Sequence, residues 1–391
     1  MMTGAVHRNP TFSSKTGAGL LVIGTAGKTK TMRTADVLII GGGLTGLTLN
    51  YLLRKAGYAA LILEARDRLG GRIWTKTTTE GVKIDMGATW LGQKHTHLVQ
   101  LLQELNLPVF QQRLGAKALF EQHRQDKAQV VPLPPNNEPS YRIQGGTSAL
   151  IQALARHLPD EAVLLGTPVE KIHAKADGVY TFSGALTIKS KVVVSTLPPN
   201  LLSHRIELQP ALPSTLIRLL QQTHTWMGES IKAGVAYAQP FWREYGHTGT
   251  AFSHTGPFIE LYDHTDAEEG HFVLKGFLRN DMANLSAPDR KQLVEGQLLK
   301  FFGQPALEYA SYEEAVWPME PFTYAPYEHA LLPHQNNGHA MYRKPYWNGR
   351  LFLAGSETAD AFPGYMEGAV RSAEWVYKIL DASPVPSRSQ Q

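Results

Sequence analysis

A strand–helix–strand unit near the N-terminus constrains the fold of this chain more than any other feature. Asp36 begins a short run, residues 36–40, whose other members are apolar and typical of a buried parallel strand, and residues 60–63 form a second apolar run. Between them, three glycines with GxGxxG spacing precede apolar residues that recur on one helix face: Gly41, Gly43 and Gly46, then Leu49, Leu52, Leu53 and Ala56. Glu64 follows the second run, so the pattern predicts a complete βαβ unit.

The residue types in this unit suit a dinucleotide. Gly41 permits a tight turn, Gly43 lets the backbone approach a pyrophosphate, and Gly46 lets the helix pack against the strand. Leu44 and Thr45 begin the helix, whose free N–H groups can bind phosphate.

The residues that follow narrow the choice of cofactor. Glu64 can accept hydrogen bonds from ribose hydroxyls and would repel a 2′-phosphate, which disfavours NADP. Gly70-Gly71-Arg72 offers a flexible backbone and a cation near the pyrophosphate, which an NAD-binding unit does not require. Residues 85–90 then read Asp-Met-Gly-Ala-Thr-Trp.

With these segments the chain resembles the flavin-containing amine oxidase family, which includes monoamine oxidases, polyamine oxidases and L-amino-acid oxidases. Further similar segments follow in family order: residues 167–172, Ile231-Lys232 with 240–243, Trp317 with Tyr327, and residues 355–358 with 364–370. The similarity runs from Val37 to about Leu380, and its C-terminal part is the most specific.

The resemblance implies FAD as cofactor. The expected cofactor-binding residues are Gly41, Gly43, Leu44, Thr45, Gly46, Glu64, Ala65, Arg66, Gly71, Arg72, Gly87, Ala88, Thr89, Trp90, Val169, Trp317, Gly355, Glu357, Tyr365 and Met366. A helix starting near Gly364 is expected to hold the negative edge of the flavin. Pro326 stands where some mitochondrial relatives carry the cysteine that links the flavin. Because the chain has no cysteine, we expect FAD to be non-covalent.

Three residues are implied to be catalytic. The family lysine matched by Lys232 holds a water beside flavin N5, and Lys232 lies in an apolar run, where a lysine needs a partner or a lowered pKa. Tyr327 and Tyr365 are expected to form two facing walls around the amine. The expected reaction is oxidative deamination to an imine or aldehyde, with flavin reduction at N5 and reoxidation by O2 giving H2O2.

The expected fold class is α/β and α+β, with two discontinuous domains. A Rossmann-like, GR2-type FAD-binding domain would comprise residues 33–90, 141–206 and 330–382, and a substrate-binding domain on a mixed sheet would comprise residues 91–140 and 207–329. Residues 1–32 are expected to be an extension and residues 383–391 a tail. Only about 50 residues separate Trp90 from Tyr141, where familiar relatives carry a larger helical insertion, so we expect a smaller lid and a more open pocket.

Alternatives remain open. An L-amino-acid oxidase would need an arginine in the pocket for the substrate carboxylate. In a flavin desaturase, Lys232, Tyr327 and Tyr365 would have no evident role in the reaction. A non-catalytic FAD-binding scaffold is a third possibility.

Charge, hydropathy and histidine spacing argue against a nucleic-acid partner, a membrane span and a metal site. The net charge of +4 is not clustered, so a nucleic-acid partner is not indicated, and no apolar stretch is long enough to span a membrane. The histidine pairs His95/His97 and His334/His339 lack further ligands, so no metal is expected. We expect a cytoplasmic enzyme whose partners are a small amine and O2; the sequence leaves its oligomeric state open.

Overall fold

The fold is that of a computed structural model, which describes residues 21–23, 30–244 and 246–382. Its strands are β1 Leu21–Ile23, β2 Lys30–Ile40, β3 Ala60–Leu63, β4 Thr75–Thr77, β5 Lys83–Asp85, β6 Leu91–Gly92, β7 Val109–Gln111, β8 Lys117–Glu121, β9 Gln129–Pro132, β10 Ser140–Ile143, β11 Val163–Leu164, β12 Lys171–Lys175, β13 Gly178–Ser183, β14 Leu186–Ser195, β15 Glu207–Gln209, β16 Ile231–Tyr237, β17 Ala251–Ser253, β18 Phe258–Asp263, β19 Phe272–Leu278, β20 Ser311–Val316 and β21 Leu351–Leu353. Its α-helices are α1 Leu44–Lys55, α2 Thr96–Glu104, α3 Ser148–Arg156, α4 Pro199–Arg205, α5 Ser214–Gln221, α6 Phe241–Glu244, α7 Ala287–Phe302 and α8 Met366–Asp381.

A nine-stranded mixed sheet carries the predicted βαβ unit. Its strand order is β11-β3-β2-β14-β13-β12-β15, with β1 on β2 and β21 on β14. Strands β2 and β3 are parallel, with Val37 opposite Ala60, and α1 connects them as predicted. Gly41 has φ +106°, which favours glycine, and a Cβ on Gly46 would lie 2.1 Å from the Gly41 carbonyl oxygen.

A seven-stranded sheet forms the second lobe, in the order β20-β16-β19-β18-β17-β8-β9. One face packs on α7 through residues such as Val294 and Leu298. The opposite face packs on Ile84, Met86 and Trp317. Strand β16, second from one edge, is buried throughout and pairs with β19 and β20, so its alternate side chains reach both faces.

Other predicted elements are confirmed, with local differences. The β12–β13–β14 hairpins and helices α2, α3 and α8 form where the sequence indicated them. Thr147 occupies the predicted N-cap position of α3, but its hydroxyl donates to the Ala88 carbonyl oxygen instead of capping the helix.

The ends and the domain borders differ in detail from expectation. Residues 21–23 and 30–32 lie in strands because β2 pairs with β1 on one side and with β14 on the other. The rest of the expected extension and the tail at 383–391 lie outside the described residues. Beyond the expected border at residue 206, β15 still pairs with β12 and α5 packs on the nine-stranded sheet through Leu216 and Leu220.

The close contact at Gly46 gives a stability prediction. Gly46→Ala should lower the free energy of unfolding by about 1–3 kcal/mol, because its Cβ would overlap the Gly41 carbonyl oxygen. Gly296→Ala in α7 is the control: it meets no atom within 4 Å and should raise stability by about 0.5–1 kcal/mol. Urea unfolding of FAD-free protein measures both, and equal effects would contradict the packing role.

Candidate active site

A cavity of about 540 Å³ lies between the two lobes. Most of the residues expected from the sequence line it: Gly41, Gly43, Leu44, Thr45, Glu64, Ala65, Arg66, Gly71, Arg72, Gly87, Ala88, Thr89, Trp90, Val169, Lys232, Trp317, Tyr365 and Met366. Gly46, Tyr327, Gly355 and Glu357 are not part of the lining. Gly46, the last glycine of the motif, instead packs against the carbonyl oxygen of Gly41.

Glu64 lies at one end of the cavity, and only 4% of it is exposed. Its carboxylate accepts hydrogen bonds from the backbone N–H groups of Gly42 (2.7 Å) and Arg66 (2.9 Å). The Arg66 guanidinium donates to Glu320 at 2.9 Å and also lies 3.9 Å from the Glu64 carboxylate. The carboxylate is therefore fixed by backbone groups, and its remaining lone pairs can accept from a diol.

The backbones of three glycines, Gly43, Gly70 and Gly71, form one part of the cavity wall. Gly43 bridges to Gly70, and a Cβ on Gly43 would meet only the backbones of Gly70 and Gly71, 3.9–4.0 Å away. Gly43 is also the N-cap of α1, whose first N–H groups belong to the lining residues Leu44 and Thr45. A bare backbone beside a helix N-terminus is a suitable cradle for a pyrophosphate.

An ion pair between the cavity residue Arg72 and the fully buried Glu357 joins distant parts of the chain. Arg72 donates to both carboxylate oxygens of Glu357, at 2.5 and 2.8 Å. Arg72 also donates to the Trp226 carbonyl oxygen, and Glu357 accepts from the Trp226 N–H. Burial alone would raise the pKa of Glu357, but the Arg72 guanidinium lowers it below its usual value. Glu357 thus holds Arg72 in the lining without lining the cavity itself.

Lys232 approaches the cavity from β16, and only 4% of it is exposed. Its ammonium group donates to the carbonyl oxygen of Gly87 and lies 4.8 Å from the centre of the Phe277 ring. Burial lowers its pKa to about 8, although the Asp85 carboxylate opposes this shift. A substantial fraction of Lys232 is therefore a neutral amine near pH 8.

Lys275 on β19 is a second buried lysine that we did not predict. It is 1% exposed, and its amine donates to the Thr89 hydroxyl. Its sequence signal is the one that indicated Lys232, a lysine inside an apolar run, here Phe-Val-Leu-Lys-Gly-Phe-Leu at residues 272–278.

Tyr365 forms part of an aromatic wall. It lines the cavity, is 40% exposed, and immediately precedes α8, whose start near Gly364 is as predicted. Its ring centre lies 5.7 Å from Trp226, another lining residue, and 5.6 Å from His334. Trp226 was not predicted, because no spacing or motif distinguishes it.

Tyr327 is not one of the lining residues. Its hydroxyl accepts from the Thr225 N–H at 2.8 Å, and its ring stacks on His224, with 6.1 Å between centres. His224 in turn contacts Trp226 at 6.2 Å. The expected facing pair of Tyr327 and Tyr365 stays a prediction, and on the lining the aromatic neighbour of Tyr365 is Trp226.

Comparison with known proteins decides the family. The family model described as flavin containing amine oxidoreductase matches residues 44–139 and 132–375. The chain belongs to this family. A probable flavin-containing monoamine oxidase A of Dictyostelium discoideum is 26% identical over 456 residues, covering 88% of this chain and 97% of that protein.

Other relatives differ in their named substrates. Putrescine oxidase of Kocuria rosea is 26% identical, covering 75% of this chain and 84% of that protein. An L-amino acid dehydrogenase of Synechocystis is 25% identical, covering 89% of this chain and 95% of that protein. A putrescine oxidase structure bound to putrescine superposes with a TM-score of 0.77 at 23% identity, over 90% of this chain and all of that one. The structure of cyclohexylamine oxidase from Brevibacterium oxydans superposes with a TM-score of 0.77 at 22% identity, over 89% of this chain and 99% of that one. These structures confirm the expected fold class.

The family fixes the cofactor as FAD, and the cavity fits it. The glycine cradle suits the pyrophosphate and Glu64 suits the ribose, while the aromatic and glycine-rich far end suits a flat ring system. No cysteine is present, so FAD is not held through a cysteinyl thioether. Within residues 21–23, 30–244 and 246–382, no helix is both long and apolar enough to cross a bilayer.

The ribose assignment gives a binding prediction. Glu64→Ala should weaken FAD binding roughly 10- to 100-fold, which corresponds to about 1.5–3 kcal/mol for a charged hydrogen bond. Glu161→Ala, at an exposed position away from the lining, is the control. Fluorescence titration of FAD-free protein measures the affinity, and an unchanged value for Glu64→Ala would refute the assignment.

Proposed function

We propose that this amine oxidase converts a primary or secondary amine to an imine, which water hydrolyses to an aldehyde or ketone. The observation that carries the proposal is Lys232, a buried amine on a cavity wall rich in aromatic side chains. Bound FAD supplies the hydride acceptor at N5 and, with dioxygen as the acceptor, passes two electrons on to give hydrogen peroxide.

The chain supplies binding and orientation of the cofactor. Glu64 would accept from the ribose, the Gly43–Gly71 backbones would admit the pyrophosphate, and Val169 would lie against the adenine. The N-terminus of α8 at Met366 would favour negative charge on the flavin edge.

Aromatic residues would bind and orient the amine. Trp90, Trp226, Phe277, Trp317 and Tyr365 line the cavity and would exclude water from the reacting carbon. Their π faces attract a cation by about 0.5–2 kcal/mol. A catalytic role for Tyr327 stays a prediction of the sequence, since Tyr327 is not among the lining residues.

The acidic residues of the lining favour a monoamine over a diamine. Among the described lining residues the carboxylates are Glu64 and Glu170, and both lie at the end assigned to the ribose and adenine. The distal ammonium of a diamine would therefore have no carboxylate partner near the aromatic end, and burying it unpaired would be costly.

An L-amino acid remains the second candidate, because one relative is named an L-amino acid dehydrogenase. Its carboxylate would need a free arginine. Arg66 and Arg72 on the lining are paired with Glu320 and Glu357, and Arg205 is the last residue of α4, at the end assigned to the adenine. The lining therefore favours an amine without a carboxylate.

An anaerobic substrate panel tests the function. Aromatic and alkyl monoamines should bleach the flavin absorption, and admitting air should restore it with one hydrogen peroxide per amine. Bleaching by L-amino acids alone would establish the second candidate. Failure of every amine and amino acid to bleach an FAD-loaded protein would favour a non-catalytic scaffold.

Removal of the buried amine tests the catalytic assignment. Lys232→Met should slow flavin reduction or reoxidation about 10²-fold, because proton transfer beside the reacting centre is lost. Lys76→Met is the control, since Lys76 pairs with Glu313 outside the lining. Stopped-flow absorbance with bound FAD measures both steps, and wild-type rates for Lys232→Met would remove it from the mechanism.

A further inference from the structure

The sulfur chemistry of this chain is confined to methionine. The sequence contains nine methionines and no cysteine, so no thiol competes with a thioether for an oxidant. The proposed function releases hydrogen peroxide, which oxidises an accessible thioether to a sulfoxide. The position of each methionine relative to the cavity therefore decides whether the product of the reaction can alter the enzyme.

Exposure and position distinguish one methionine from the others. Among the described residues, the exposed methionines are Met227 (38%) and Met319 (63%). Met227 lines the cavity, whereas Met319 does not. Met366 also lines the cavity, but it is only 7% exposed, and Met86 and Met282 are buried. Met227 is thus the described methionine that is both exposed and part of the cavity wall.

Met227 belongs to the aromatic end of the cavity. It directly follows Trp226, whose ring centre lies 5.7 Å from that of Tyr365. Ser230, three residues later, also lines the cavity, and its carbonyl oxygen accepts from the Trp317 N–H at 3.1 Å. Strand β16 begins at the next residue. A change of polarity at Met227 would therefore act on the amine and the ring system, away from the end assigned to ribose and adenine.

The backbone around Met227 is held on both sides. Its φ of +59° is a left-handed conformation that favours glycine, and the turn is closed by the Gly228 N–H, which donates to the Thr225 carbonyl oxygen at 3.0 Å. The Met227 carbonyl oxygen accepts from the N–H and the hydroxyl of Ser230, at 3.3 and 2.8 Å. The ion pair beside the cavity binds both backbone groups of Trp226. A modified Met227 side chain could therefore not leave the cavity by an easy shift of its backbone.

Oxidation of a thioether by peroxide needs no further reactant. The sulfur donates an electron pair to one peroxide oxygen, the O–O bond breaks, and an S–O bond forms. The other oxygen leaves as water with both peroxide hydrogens. The sulfur is oxidised by two electrons, and the peroxide is reduced by two. The product is a polar, chiral side chain in place of a flexible apolar one.

We propose that Met227 is the modification site at which hydrogen peroxide from turnover inactivates this oxidase, through a sulfoxide at the aromatic end of the cavity. This inference rests on the proposed function. Among aromatic rings a sulfoxide either loses hydrogen bonds to water or draws water toward the reacting carbon. Both effects weaken the binding of an apolar amine. Because reductases convert methionine sulfoxide back to methionine, the loss of activity is reversible.

Incubation of the FAD-loaded protein with hydrogen peroxide in the absence of amine tests the site. Peptide mass spectrometry follows each sulfoxide, and stopped-flow absorbance then measures flavin reduction by a monoamine. The loss of rate should follow the sulfoxide of Met227, and complete oxidation should raise the amine concentration for half-maximal reduction about tenfold. The sulfoxide of Met319 should form at least as fast without following the loss. Treatment with both methionine sulfoxide reductases should restore the rate.

Three variants separate the site from general oxidation. Met227→Leu stays apolar but has no sulfur, so it should keep its own starting rate after peroxide treatment. Met319→Leu is the matched control and should lose activity as the wild type does. Met227→Gln introduces a permanent polar acceptor. Without any peroxide it should raise the amine concentration for half-maximal reduction, while the limiting rate of reduction changes little.

Turnover in air completes the test. The wild type should lose activity as peroxide accumulates, and either catalase or Met227→Leu should prevent this loss. Equal peroxide sensitivity of Met227→Leu and wild type would overturn the inference, as would a complete Met227 sulfoxide with an unchanged rate. Failure of every amine to reduce the flavin would remove the proposed function. Absence of Met227 sulfoxide after incubation with peroxide alone would remove this inference and leave the proposed function standing.

Discussion

The site depends on the ion pair between Arg72 and Glu357. It joins residues 285 positions apart and also binds both backbone groups of Trp226, so three chain segments meet at one guanidinium. Removing Arg72 would leave the Glu357 carboxylate buried and uncompensated, which costs far more than the pair contributes. The arrangement therefore fixes how the glycine-rich segment, the C-terminal segment and the aromatic wall surround the cavity.

The two lobes contribute different physical properties to this cavity. The nine-stranded sheet contributes backbone N–H groups, glycine surfaces and the Glu64 carboxylate, which suit phosphate and ribose. The seven-stranded sheet contributes buried amines and aromatic rings, which suit a redox-active ring and an organic cation. Because Lys232 and Lys275 lie on the sheet face opposite the α7 core, the apolar packing that stabilises the lobe also depresses their proton affinity.

The sequence predicted local elements and motif positions because these depend on short-range patterns. The βαβ unit, the hairpins after Lys171 and the helix from Met366 all follow from periodicity and turn residues. Contacts between distant segments were harder to foresee. The Tyr327 hydroxyl accepts from the Thr225 N–H, Thr147 donates to Ala88 instead of its own helix, and α5 packs on the nine-stranded sheet. Lys275 did carry a readable signal, but only the strand register places it beside Lys232.

Hydrogen–deuterium exchange with and without FAD tests the central claim, a cofactor held between both lobes, most directly. The account predicts slower exchange on FAD binding in the motif at residues 41–46, in the loop at 87–90 and in the segment at 226–230 that precedes β16. Protection confined to residues 41–46 and their neighbours in the nine-stranded sheet would contradict it, since the ring system would then not reach Lys232.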